Sequence, residues 1–193
     1  MIVDILRHGA LQGGVKYRGH VEGVLTQEGR QQMDAVWEQL KEEVDVVVAS
    51  PLQRCALPAQ AWASEQGIPC LLDERIKEMY YGAWEDKTHA EIESEFPGML
   101  AAWRQDPTGM QPPGGGESPE TLRHRVADFW QDMKQQYAHQ HLLVVGHSGS
   151  LRMLVTHIEQ RPIAHTRAIH MPYASWKRLV VDGGAVDCFV DMH

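Results

Sequence analysis

The sequence predicts an α/β protein, a three-layer α/β/α sandwich around a mostly parallel sheet with a C-terminal hairpin at one edge. Apolar runs of strand length alternate with segments of helical period along the 193 residues, the pattern of strand–helix units joined by right-handed crossovers. The β-branched run Val44 to Ala49 suits a strand buried on both faces. Near the end, two apolar segments flank Asp182-Gly183-Gly184, which reads as a hairpin.

Taken in order, Ile2 to Leu6 forms the first strand and stops at glycine in Arg7-His8-Gly9. A helix follows from Thr26, its N-cap, to about Lys41. After the strand Val44 to Ala49, Ser50-Pro51 supplies an N-cap and a proline at the first position of a helix reaching about Gln66. Cys70 to Leu72 is a short third strand. Thr88-His89-Ala90-Glu91 is a capping-box signature, and Ser118-Pro119 opens a helix to about Tyr137. Leu142 to Val145 is the fourth strand, a helix begins near Ser148, and Ala174 to Val181 with Ala185 to Val190 makes the hairpin. Residues 1–193 read as a single domain with an irregular excursion over 78–116, which passes over the active edge of the sheet.

The formal net charge of −8 argues against nucleic-acid or anionic-membrane partners, which need basic surface. A small anionic substrate needs only a local basic pocket. With no basic leader and no apolar stretch of membrane length, a soluble, cytoplasmic protein is expected. Cys55, Cys70 and Cys188 form no C-x-x-C pair and are expected as buried, inert thiols. His139 and His141 fit a solvated loop before the fourth strand better than a metal pair.

The chemistry concentrates at strand ends. An imidazole is nucleophilic near neutral pH, and a neighbouring guanidinium presents a fork of donors to phosphate oxygens; Arg7-His8 offers both. Gly9 lets the chain turn close to a ligand, and its backbone is placed to hold the His8 ring in one tautomer. Arg54 lies one turn into the helix after the second strand, whose N-terminus itself favours an anion. His147 sits among small residues in Gly146-His147-Ser148-Gly149. Singly, these are a turn histidine, a solvent-facing arginine and a capping histidine. Ligands of open α/β sheets bind at the carboxyl ends of strands, which brings His8 and His147 to one crevice.

Together with Leu25-Thr26-Gln27-Glu28-Gly29, Ser50-Pro51-Leu52-Gln53-Arg54, Lys77 to Glu85 and Gly116-Glu117-Ser118, these motifs resemble the histidine phosphatase superfamily, in its phosphoglycerate-mutase-like branch. The resemblance implies the phosphoglycerate-mutase-like fold and a phosphomonoesterase working through a phosphohistidine on His8. Arg7, Arg54 and a protonated His147 would surround the phosphoryl oxygens, and Glu78, partly buried beside Tyr80, Tyr81 or Trp84, would be the general acid and base. No cofactor and no metal is implied. Within the superfamily, Tyr17-Arg18-Gly19-His20 and the segment Glu78 to Glu85 are similar to α-ribazole-5′-phosphate phosphatases, which implies that ester as substrate, in the assembly of the cobalamin nucleotide loop. Broad hydrolysis of small phosphate esters is the alternative, then a phosphoglycerate mutase, then a binding module without turnover. The mutase is disfavoured because the 78–116 region holds no extended basic loop.

Candidate substrate-binding residues are Gly14, Arg18, His20, Tyr80, Trp84, Glu117 and Ser148; taken singly, Trp84 reads rather as core, and Ser118 reads as an N-cap. The chain has Ala10-Leu11 and Gln12-Gly13-Gly14 where the family commonly has Glu-Thr and a phosphate-binding asparagine. The Gly13-Gly14 loop, with Arg18 or His20, is expected to supply the missing donor.

Overall fold

A computed structural model describes residues 1–106, 108 and 110–181 in full, and residues 182 and 185–191 as backbone. The strands β1 (Ile2–Arg7), β2 (Val46–Ala49), β3 (Cys70–Leu72), β4 (His141–Gly146), β5 (Trp176–Asp182) and β6 (Ala185–Asp191) form one sheet in the order β3-β2-β4-β1-β5-β6. The first four are parallel, and β5 and β6 are antiparallel at the edge. This is the expected sandwich with its hairpin, although Gly183-Gly184 lies outside the described residues. No helix among the described residues is long and apolar enough to cross a membrane.

Strand alternation divides the core in two. Val3, Ile5, Val46, Val48, Leu142 and Val144 face one layer, while Leu6, Val47, Ala49, Leu143 and Val145 face the other. The second face is covered by α1 (Gln27–Leu40) and α2 (Gln53–Gln66), through Met33, Trp37, Ala59 and Trp62. The first is covered by the later α5 (Pro119–Gln136) and α6 (Ser148–Ile158), through Phe129, Trp130, Leu151 and Leu154. Between them, α3 (His89–Glu95) and α4 (Met99–Gln105) cross the 78–116 region around Trp84, Ile92 and Leu100.

The helix after β1 therefore lies on one face, and the helix after the adjacent β4 lies on the other. That divergence opens a crevice at the carboxyl ends of the two strands. Thr26 and Ser118 cap their helices through side-chain oxygens, and Thr88 with Glu91 makes the capping box.

Two boundaries differ from the sequence expectation. Val44 still closes the last turn after α1, its N–H bonded to Leu40 O, so β2 begins at Val46. The helix after β2 begins at Gln53 with Leu52 at the N-cap rather than Ser50. Ser50 is fully buried with its hydroxyl bonded to His147, and the N–H of Gln53 goes instead to the Glu22 carboxylate at 3.0 and 3.3 Å. A side chain of the protein thus holds the helix end where a substrate anion was expected. Cys55 is buried and Cys70 half-buried; the Cys188 side chain lies outside the described residues.

Candidate active site

Arg7 and Gly146 are register partners on β1 and β4, and His8 N donates to Gly146 O at 3.0 Å. The residues that follow leave the sheet side by side, and the His8 and His147 rings meet edge-on with centroids 5.2 Å apart.

His8 Nδ1 donates to the carbonyl of Gly9 at 2.8 Å. A carbonyl only accepts, so the proton is on Nδ1 and the Nε2 lone pair is free. Burial, with the Arg54 and Arg7 cations nearby, lowers the His8 pKa to about 3. The ring is neutral and nucleophilic at physiological pH. Gly9 serves a different purpose from the close ligand approach expected of it. A Cβ there would lie 2.1 Å from Gly29 O, so the glycine lets the loop after β1 rest on the first turn of α1.

Arg7 donates from Nη1 to Met171 O at 2.7 Å, and its guanidinium lies 4.0 Å over the Tyr173 ring. Its Nε is buried without a partner, a donor left for a ligand to satisfy.

His147 corrects one expectation. It is fully buried, Nδ1 accepts from Arg54 Nε at 3.2 Å, and Nε2 donates to Ser50 Oγ at 2.8 Å. Burial, then the Arg54 cation and His8, holds its pKa well below the usual imidazole value, so it is neutral rather than an imidazolium. Arg54 gives its remaining donors to Val21 O at 2.8 Å, Gly19 O at 2.7 Å and Arg18 O at 3.1 Å. Arg54 and His147 thus stand beneath His8 instead of on the cleft wall.

Glu78 is buried, with Oε1 accepting from Met79 N at 2.8 Å and Oε2 from Gly149 N at 3.0 Å. A Cβ at Gly149 would come within 2.3 Å of Oε1, so the glycine makes room for the carboxylate. Its main chain is held as well. His20 Nε2 donates to Glu78 O at 2.9 Å, and Arg125 donates to the carbonyls of Arg75, Lys77 and Glu78 at 2.6, 2.8 and 3.0 Å. Glu117 grips Arg125 through two bonds of 2.6 and 2.7 Å.

His20 and Glu117, expected to bind substrate, therefore fix the Glu78 backbone, His20 directly and Glu117 through Arg125. Arg125 escaped sequence reasoning because a lone helix arginine has no local signature. Trp84 is fully buried in the α3–α4 cluster, and Tyr80 is exposed with its ring beside His20. Neither is on the cleft wall, where Tyr17, Tyr81 and Tyr173 stand instead.

The cleft, about 520 Å³, is lined by Arg7, His8, Glu78, Arg18, Arg104 and Ser148 together with those tyrosines and Lys16. Lys16 and Arg18 share Asp86, at 3.1 and 3.2 Å. Gly14 is exposed and off the wall, its carbonyl accepting from Arg18 Nη1 at 2.8 Å. Four cations face one carboxylate in a protein of net charge −8, which makes this a local anion trap. Among the described residues, no three His, Cys, Asp or Glu side chains gather as a metal set.

The family model of the histidine phosphatase superfamily (branch 1) matches residues 3–189. Glucosyl-3-phosphoglycerate phosphatase of Mycolicibacterium vanbaalenii is 28% identical over 91% of this chain and 82% of its own length. Adenosylcobalamin/alpha-ribazole phosphatase of Salmonella typhimurium is 27% identical over 93% of this chain and 90% of its own. The solved structure of a mycobacterial glucosyl-3-phosphoglycerate phosphatase complexed with VO3 superposes with a TM-score of 0.83 at 29% identity, covering 93% of this chain and 92% of that one.

Proposed function

We propose that this chain, which belongs to the histidine phosphatase superfamily (branch 1) and is a phosphoric monoester hydrolase, cleaves its ester through a covalent phosphohistidine on His8 without a metal. The observation that carries this is the Nδ1–H bond from His8 to Gly9 O, which leaves Nε2 free in a cleft that also holds Glu78.

Nε2 attacks phosphorus as the P–O bond to the leaving group breaks, and Glu78 gives the departing oxygen its proton. A water then loses a proton to Glu78 and attacks phosphorus. The P–N bond breaks, inorganic phosphate leaves, and His8 and Glu78 return to their starting states. Arg7 Nε is the first donor to the phosphoryl oxygens. Arg54 and His147, on exchanging the loop carbonyls and Ser50 for those oxygens, complete the cradle. The arginines supply the charge neutralisation that a metal gives elsewhere. The reading takes the chain as a single domain working in the cytoplasm.

Two substrates stand out. The likeness to proteins named adenosylcobalamin/alpha-ribazole phosphatase and the aromatic wall of Tyr17 and Tyr81 support α-ribazole 5′-phosphate. The likeness to glucosyl-3-phosphoglycerate phosphatases and the cationic lining support a phosphorylated carboxylic acid. The test is phosphate release from α-ribazole 5′-phosphate, glucosyl-3-phosphoglycerate and p-nitrophenyl phosphate with EDTA present, for the wild type and His8→Ala. The expected result is EDTA-insensitive turnover that falls on the order of 10⁴-fold or more in the variant, as removal of a nucleophile does. EDTA-sensitive or His8-independent release overturns the mechanism, while the substrate ranking decides between the two esters.

A further inference from the structure

We infer that the active-site cleft continues into a second lobe that holds a second anionic group of the substrate, recognised by Arg104, Arg152 and Arg167. This deepens, and rests on, the phosphatase reading above. The lobe is a cavity of about 440 Å³ that shares Tyr17, Tyr81, Arg104 and Ser148 with the reaction cleft. A single molecule that presents its phosphate to His8 therefore extends into it.

The lobe's charge is one-sided. Three arginines line it and no aspartate or glutamate does, although the chain carries 26 acidic residues against 18 lysines and arginines. The arginines come from three separate elements, α4, α6 and the 3₁₀ segment Ile163–Ala168. Their donors are largely unspent. Arg152 Nε is buried with no hydrogen-bond partner, which is costly unless a ligand accepts from it. Arg104 reaches Tyr17 Oη at 2.9 Å from Nη2, and Arg167 bonds the Gln105 carbonyl from Nη2. Both guanidiniums have further N–H groups.

Ser148 and Arg152 are four residues apart and so share one face of α6. Ser148 lines both lobes and Arg152 only the second, so this helix face leads from the reaction cleft into the arginine lobe. A guanidinium fork matches a carboxylate or a phosphate in two parallel bonds. A neutral aromatic leaving group would use the tyrosine and Trp103 walls but leave the arginines without counter-charge. The lobe thus ranks acid-bearing esters above neutral ones.

The test compares kcat/KM for 3-phosphoglycerate with that for glycerol 3-phosphate, which lacks the second anion, in the wild type and in Arg152→Met/Arg167→Met. The wild-type ratio should be about 10- to 100-fold, the worth of one or two charge-assisted hydrogen bonds, and fall toward one in the variant. A preference seen only with propane-1,3-diyl bisphosphate would assign the second anion as phosphate rather than carboxylate. A wild-type ratio near one for both 3-phosphoglycerate and the bisphosphate overturns the subsite even if the variant does not fold, and so does a folded variant that keeps the wild-type ratio. Absence of His8-dependent release from every ester, p-nitrophenyl phosphate included, would instead overturn the phosphatase reading and the subsite with it.

Discussion

Two clusters of buried charge sit on the same sheet and use the same residue types, yet one is closed and the other open. Toward the amino ends of β1 and β4, the buried Asp4 carboxylate accepts from His141 Nε2 at 2.7 Å and from Arg178 at 3.0 and 2.9 Å. Arg178 also reaches Glu43 at 2.8 Å, and His141 N donates to Asp45 at 2.7 Å. Opposite charges face each other, and the oxygens have their donors. At the carboxyl ends, His8, His147, Arg7 and Arg54 are gathered, and the one carboxylate beside them, Glu78, is bonded to the backbone N–H groups of Met79 and Gly149 rather than to any of the four. His8 Nε2 is free, Arg7 Nε has no partner, and both rings are forced neutral. The closed cluster is an element of the fold; the open one has hydrogen-bonding capacity left for a ligand.

The sharpest way to test that contrast is to open the closed cluster. Asp4→Ala would take the acceptor from His141 Nε2 and leave Arg178 with Glu43 alone. Breaking one partner out of a buried pair costs about 3–5 kcal/mol. Urea denaturation should show a loss of that size, while kcat/KM per folded molecule stays within about threefold. A large loss of activity in the folded variant would mean that the two clusters are coupled through β1.

The converse change disturbs the open cluster and spares the fold. In Gly149→Ala the new Cβ meets only the tip of Glu78, a flexible carboxylate that moves aside. We expect kcat to fall on the order of 10²-fold, the usual weight of the proton transfer proposed for Glu78, with the denaturation midpoint nearly unchanged. An intact kcat would show that Glu78 Oε1 is not where proton transfer occurs.

What the sequence made legible was local. The strand ends at Arg7 and Gly146 could be read because apolar runs stop at glycine, and the tautomer lock on His8 followed from the next residue. Readings that depended on distant partners failed. Ser50 looked like an N-cap, but its hydroxyl, which accepts from Leu52 N at 3.4 Å, is shared with His147, 97 positions away, and the helix begins only at Gln53. His141 looked like a loop residue because Asp4 and Arg178 lie 137 and 37 positions off. Trp84, His20 and Glu117 sit in the right motifs but face the core or the Glu78 backbone. Arg104, Arg152 and Arg167 likewise meet in one cavity from three elements that no stretch of sequence joins. Tertiary packing concentrates charge that no window of sequence contains.

A last, graded effect concerns protons and separates the clusters by pH. Unfolded, His8 titrates near 6.5; folded, near 3. Below about pH 6.5 the unfolded chain takes up a proton that folded His8 refuses, so stability is full above that pH and declines as pH falls toward 3. His147 acts in the same direction. Each histidine contributes a slope approaching 1.4 kcal/mol per pH unit in that window. Urea midpoints measured from pH 7 to 5 should therefore fall steadily, above the range where most carboxylates titrate, and His8→Ala should remove about half of the slope. A stability profile flat over that window, or an unchanged slope in His8→Ala, would show that protonating the open cluster costs the fold nothing. The distinction between the two ends of the sheet would then rest on geometry alone.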